Sequence, residues 1–191
     1  MPPKQKFTRE QVTSAALEIT RHDGINALTA RRLGAELGSS SRPIFTIFQN
    51  MNEVQNETVL AARALYNQYV ATGLSKPNAF KGVGMAYIQF AKDEPKLFHL
   101  LFMTENEAVP ELTDVLSMID DNSSQILEAV KKGFGLDDTM AQKIYQDLWI
   151  FTYGIASLCA TKVCRLGEVE ISEMLDDVFI GILQKMKAGE K

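Results

Sequence analysis

Arg31, Arg32 and Arg42 stand close together in the chain, interspersed with Thr29, Ser40, Ser41, Thr46 and Gln49. A guanidinium presents a planar fork of donors that matches phosphate oxygens and the acceptor edge of guanine. Hydroxyl and amide side chains add neutral donors of the kind that hold phosphate and sugar. The combination points to contact with an anionic polymer rather than to bond-making chemistry. The sequence contains no GxSxG, no P-loop, no GxGxxG after a strand and no HExxH. His22 and His99 are the only histidines, and neither has a metal-ligating residue three or four positions further on. Acidic pairs such as Asp120-Asp121, Asp137-Asp138 and Asp176-Asp177 read as solvated charge near helix ends or on polar faces. No catalytic residue, metal site or cofactor is expected, and the chain is not read as an enzyme.

The elements that must position these groups are helices. Glycine and proline breakers leave segments of helix length, no segment alternates with a period of two, and apolar residues recur at helical spacing in the second half. The expected fold is all-α with about nine helices. Thr8 and Gln11 form a capping box, Phe7 and Val12 a hydrophobic staple, and Gly24 is the expected left-handed stop of the first helix. Thr29 opens a second helix with Leu28 and Leu33 as its staple, and Gly38 closes it. Ser39, Ser40 and Ser41 offer caps for a third helix running through Phe48, with Pro43 in its first turn. Asn50 followed by Glu53 marks a fourth start.

Two short helices joined by a glycine turn have the spacing of a helix-turn-helix. Gly34 lets the next element cross close above it, while Leu33, Leu37, Ile44 and Phe48 would lock the pair onto the first helix. The remaining face carries Ser41, Arg42, Phe45, Thr46 and Gln49, a surface suited to a major groove. Spacing alone is equally compatible with a plain helical hairpin of the core.

Residues 8–60 resemble the DNA-binding domain of the TetR family of bacterial one-component repressors. The run LTARRLGAELGSSSRPIFTIFQNMNEV carries the resemblance. A threonine opens the second helix, a leucine precedes a small residue, a glycine turn follows, and an aromatic and a final phenylalanine precede the fourth helix. LWIFTYGIA at 148–156 resembles the Trp-His-Gly signature of one C-terminal class, with Tyr153 in place of the histidine. The resemblance implies a cytoplasmic homodimer that binds a double-stranded palindromic operator and is released by a small-molecule effector. It assigns Thr29 to a phosphate, Arg31 to a guanine edge, Ser41 and Arg42 to the front of the recognition helix, and Thr46 and Gln49 to its exposed face. Arg32, Ser40 and Phe45 complete the expected interface. Phe45 replaces the family's phosphate-binding tyrosine and Met51 its lysine, so a second reading is a ligand- or partner-binding dimer with weakened or lost DNA binding. Dimer symmetry implies half-sites about 34–36 Å apart, or near a multiple of that.

The division expected from texture is residues 1–50 for DNA and residues 51–191 for ligand binding and dimerisation. Met85, Phe90, Phe98, His99, Phe102, Met118, Trp149 and Tyr153 are the candidate pocket, large adaptable side chains with a few polar tips. Ile155, Leu158, Leu175, Val178, Phe179 and Ile182 are the candidate dimer interface, where the family's last two helices pair with those of a partner. Cys159 and Cys164 read as buried thiols in a reducing cytosol. The longest uncharged run, Leu148 to Thr161, is 14 residues, short of the ~20 that a span requires. The basic N-terminus has no apolar core of a secretory signal, and no membrane association is expected.

A net charge of −4 over 191 residues argues at first against a phosphate-binding protein. The charge is unevenly placed. Residues 1–50 hold seven basic and four acidic residues, and the remaining chain holds 13 and 20. A modestly basic end suits positioned contact with phosphate while an acidic body keeps the rest soluble.

Overall fold

The computed structural model describes residues 6–105, 109–119 and 121–188, with the side chains of Thr113, Met118 and Ile119 outside that description. The described residues form nine α-helices and two 3-10 turns, with no strand. The helices are α1 (Arg9–Asp23), α2 (Ala30–Glu36), α3 (Met51–Leu74), α4 (Ala79–Asp93), α5 (Pro95–Phe102), α6 (Leu112–Ile119), α7 (Ser123–Phe134), α8 (Asp138–Ala160) and α9 (Glu168–Ala188). The 3-10 turns lie at Ile25–Ala27 and Ile44–Thr46. No described helix is long and apolar enough to cross a membrane.

The chain folds into two compact units. The first comprises residues up to Leu65 together with Glu94–Thr104, and the second comprises Tyr66–Asp93 and the chain from Glu105 onward. The first change of unit along the chain falls at 65/66, within α3. The reason is packing: Val54 and Thr58 of α3 are buried, and Val54 joins the N-terminal core.

The first unit is built on the capping signals. Thr8 accepts from the Gln11 N–H at 3.2 Å, while the Gln11 side chain accepts from the Thr8 N–H at 2.9 Å. Phe7 and Val12 lie in one cluster with Ala16, Ile19, Leu28, Leu33, Ile44, Phe48 and Val54. Gly24 does stop α1 with a positive φ of 85°, but its ψ of 165° places it outside the left-handed helical well, in a region essentially reserved for glycine. Gly38, with φ of 60°, ends α2 in a Schellman-type turn. The Gly38 N–H donates to the Ala35 carbonyl and the Ser39 N–H donates to the Gly34 carbonyl.

The third helix expected through Phe48 is instead a turn leading into the 3-10 segment Ile44–Thr46. The Thr46 hydroxyl and N–H both donate to the Pro43 carbonyl, at 2.7 and 3.3 Å, and close the 3-10 turn. Three β-branched residues, Ile44, Thr46 and Ile47, add a χ1 penalty in a segment too short to recover the cost of nucleation. Beyond it, Asn50 Oδ1 accepts from the Glu53 N–H at 3.0 Å and begins α3.

In the second unit, α4 packs against α7, α8 and α9. At the α3–α4 turn, a Cβ on Gly73 would lie 2.7 Å from the Gly82 backbone, so the two glycines set the spacing of the helices there. Val130, Leu136, Ala141, Ile144 and Leu148 form the core, flanked by Phe80, Phe134 and Phe179. Helix α8 starts on Asp137, whose side chain accepts from the Met140 N–H. It ends in a second Schellman-type turn in which Lys162 takes the positive φ of 58°. The thiols expected in the core lie at this end: Cys159 is half-buried and Cys164 exposed, because the helix stops before reaching the packed interior again. Burial raises the Cys159 pKa.

Candidate nucleic-acid interface and effector cavity

In the first unit, the close approach of α2 to the following turn depends on Gly34. A Cβ there would lie 2.9 Å from backbone atoms of Ser40 and Ser41, so any larger residue displaces the segment that follows. Leu33, Ile44 and Phe48 anchor both elements in the core, with Leu37 half-buried beside them. This leaves Thr29, Arg31, Arg32, Ser40, Arg42, Phe45, Thr46 and Gln49 exposed, and Ser41 half-buried.

The charged groups of this unit divide into committed and uncommitted cations. Arg9 donates to Glu53 at 2.8 Å and to Glu57 at 2.7 Å, and its guanidinium sits 4.4 Å from the Phe48 ring centroid. Arg21 holds Glu94 and Glu18, which together raise the Arg21 pKa. Arg32 pairs with Asp23. Arg31 and Arg42 are exposed and have no carboxylate partner among the described residues. They are therefore the arginines whose forks remain available to a phosphate or a base edge.

The neutral groups are partly engaged by their own backbone. The Thr29 hydroxyl accepts from the Arg32 N–H as the α2 cap, and the Thr46 hydroxyl is bonded to the Pro43 carbonyl. The Gln49 N–H donates to Glu53 Oε2 at 2.6 Å, leaving the Gln49 side chain at the surface. Phe45 is 43% exposed, a large apolar ring on the same segment as Arg42. Met51 packs against the N-terminal core instead of facing outward.

The second unit encloses a cavity of about 70 Å³. Seven aromatic side chains line it, namely Tyr66, Phe80, Tyr87, Phe134, Tyr145, Trp149 and Phe179. Lys81 and Asp176 are its only charged lining groups among the described residues, joined at 2.6 Å between α4 and α9. Asn78, Gly84 and Thr152 also line it, with Val83, Ile126, Leu148 and Leu175 as its aliphatic wall. Asn78 and Lys81 also line an adjoining, more open groove of about 990 Å³ between the end of α3, α4 and the start of α9.

Of the residues expected to form a pocket, Trp149 lines this cavity and Met85 lines the groove. Phe90 is wholly buried, 5.3 Å from each of Tyr66 and Tyr69. Tyr153 stacks beside Trp149 without lining the cavity. Phe98, His99 and Phe102 lie on α5, which belongs to the first unit and packs on α1. Phe98 is buried there, Phe102 half-buried and His99 exposed. The Met118 side chain lies outside the described residues.

Of the residues expected at a dimer interface, Ile155 and Leu175 are buried within the unit, and Leu175 and Phe179 line the cavity. Val178, Phe179 and Ile182 are half-buried against the core. Leu158 is exposed, as are Ile150 and Ile180, which the helical stripes did not single out. Ile150, Gly154 and Leu158 follow one another at intervals of four along α8, and a Cβ on Gly154 would meet nothing within 4 Å.

Residues 80–179 match a family model described as the tetracyclin repressor-like C-terminal domain, a little over half of the chain. No curated protein matches it.

Proposed function

The chain belongs to the tetracyclin repressor-like family, and from that membership we propose a ligand-responsive transcriptional repressor, not an enzyme. It binds a palindromic operator as a homodimer and is released by a small molecule held in the second unit. The observation that supports DNA binding is the pair of exposed, uncommitted arginines, Arg31 and Arg42, on either side of the Gly38 turn. Arg31 fits a guanine edge and Arg42 a phosphate or base at the entry of the 3-10 segment. Thr29, Arg32, Ser40, Ser41, Phe45, Thr46 and Gln49 surround them as positioning contacts. The aromatic cavity beside Lys81 and Asp176 supports effector binding, since it pairs apolar walls with a few polar groups that can orient a ligand.

Footprinting on the DNA beside its own gene tests the proposal. Protection of an inverted repeat is expected, with loss of protection in Arg31→Ala and Arg42→Ala. Unchanged footprints in both variants would overturn the site assignment.

Phe45 and the inward-facing Met51 support a second reading, a ligand- or partner-binding dimer that no longer grips DNA. A salt titration separates the two. An operator-binding dimer loses affinity steeply with salt as counterions are released, whereas a log–log slope near zero favours the second reading.

A further inference from the structure

The cavity lined by Trp149 is too small for its proposed task as it stands. Its volume of about 70 Å³ is roughly half that of a buried apolar cavity known to admit a benzene ring (~150 Å³). The Lys81–Asp176 ion pair forms part of its wall. Lys81 lies on both sides of that wall, lining the cavity and the open groove. Opening the pair joins the cavity and its aromatic floor to that groove, which also carries Lys76, Glu168 and Glu173.

An ion pair with this much solvent access contributes little stability by itself, so a ligand charge can replace one partner at small cost. Which partner is replaced follows from burial. The Lys81 side chain is 26% exposed and the Asp176 side chain 50% exposed. A ligand cation on Asp176 would leave the more buried ammonium unpaired beside a second positive charge. A ligand anion on Lys81 releases the more exposed carboxylate to water, and the ammonium keeps a charge-assisted hydrogen bond.

Building on the effector-cavity reading above, we infer that the cavity takes a small aromatic carboxylate. Its ring lies among Phe80, Tyr145, Trp149 and Phe179, and its anion displaces Asp176 from Lys81 Nζ. Because Asp176 is on α9 and Lys81 on α4, the exchange also releases the tie between those helices.

Trp149 is the only tryptophan, so its emission in the full-length protein reports on this cavity directly. Phenylacetate and 3-phenylpropionate are titrated at neutral pH beside their amides and the matched 2-phenylethylamine and 3-phenylpropylamine, with calorimetry in parallel. The acids are expected to bind about tenfold or more tightly than the amides, and the amines most weakly. Lys81→Met should level the three classes. Asp176→Asn, which removes the competing anion, should tighten the acids relative to wild type, a gain that a purely structural role for the pair does not produce. Circular dichroism and melting temperature confirm that both variants fold. If the amines bind best, or if the acid preference survives Lys81→Met, the ligand class is wrong while the cavity reading stands. If no ring compound perturbs Trp149 or releases heat, the effector-cavity reading falls and this inference with it.

Discussion

Arg21 and Glu94 join α1 to the start of α5 through a two-pronged contact. Arg21 Nε lies 2.9 Å from Glu94 Oε2, while Nη2 donates to Oε1. The Glu94 carboxylate is almost fully buried, whereas the guanidinium keeps partial access to water. Removing the cation therefore costs more than removing the anion. Arg21→Ala strands a buried charge and is expected to cost about 2–3 kcal/mol, somewhat below the loss seen for a fully enclosed pair. Glu94→Ala leaves Arg21 with Glu18 and with solvent, and its cost is expected to be smaller. Urea unfolding of both variants against wild type measures the order. A larger loss in Glu94→Ala would contradict the burial argument.

The entry to α3 carries a pH dependence. The Gln49 backbone N–H and then the Arg9 guanidinium hold the Glu53 carboxyl below its usual range. A carboxyl whose pKa falls on folding contributes stability above its unfolded value, near 4.5. That contribution is lost as pH falls through the folded-state value. Wild type should therefore melt at a higher temperature than Glu53→Gln at pH 6, and the two curves should converge as pH drops below 4.5. Parallel curves down to pH 3 would show that Glu53 plays no part in the acid limb.

Two glycines of the second unit should respond to alanine with opposite signs. A Cβ on Gly84 would meet Leu175 Cδ1 at 3.6 Å and Thr152 Oγ1 at 3.9 Å, ordinary contact distances. Gly84→Ala therefore gains helix propensity and fills part of the cavity, and should raise stability by about 0.5–1 kcal/mol. A Cβ on Gly73 would press to 2.7 Å of the Gly82 backbone, which cannot turn aside as a side chain can. Gly73→Ala should cost about 1–3 kcal/mol. Thermal unfolding of the two variants checks the signs, and ligand titration checks whether Gly84→Ala weakens effector binding.

The reach of each residue decides how much of its role a sequence can carry. Thr8, Gln11, Phe7, Val12, Thr29 and Gly38 act within a turn or two of themselves, so their roles in starting and stopping α1 and α2 were legible from spacing. The shape of the 41–48 segment was not, because capping serines and an early proline open a short 3-10 turn as readily as an α-helix. The end of α8 was equally hidden, since Lys162 takes the left-handed position usually given to glycine. The cavity was the least legible feature. Lys81 and Asp176 are 95 residues apart and meet only through the packing of α4 on α9. Aromatic content pointed to Phe98, His99 and Phe102, yet α5 spends its apolar face on α1, with Leu97 and Phe98 fully buried.

Helix α8 carries an exposed apolar stripe suited to pairing with a second copy. Ile150 is 47% and Leu158 40% exposed, with Gly154 between them presenting bare backbone. On α9, Ile180 is exposed as well. A twofold interface is self-complementary, so a stripe on one protomer meets the same stripe on its partner, and a glycine at its centre lets the two helices approach closely. Introducing a carboxylate on that stripe places two like charges near the axis in a desolvated contact. Ile150→Glu with Leu158→Glu is therefore expected to convert a dimer to a monomer at micromolar concentration in light scattering. The helical circular dichroism spectrum should be retained, because neither side chain is buried within its own chain. Operator affinity should fall with dimerisation, since each protomer alone reads one half-site. A variant that stays dimeric would move the interface away from this face of α8, and a monomeric wild type would remove the homodimer from the proposed function.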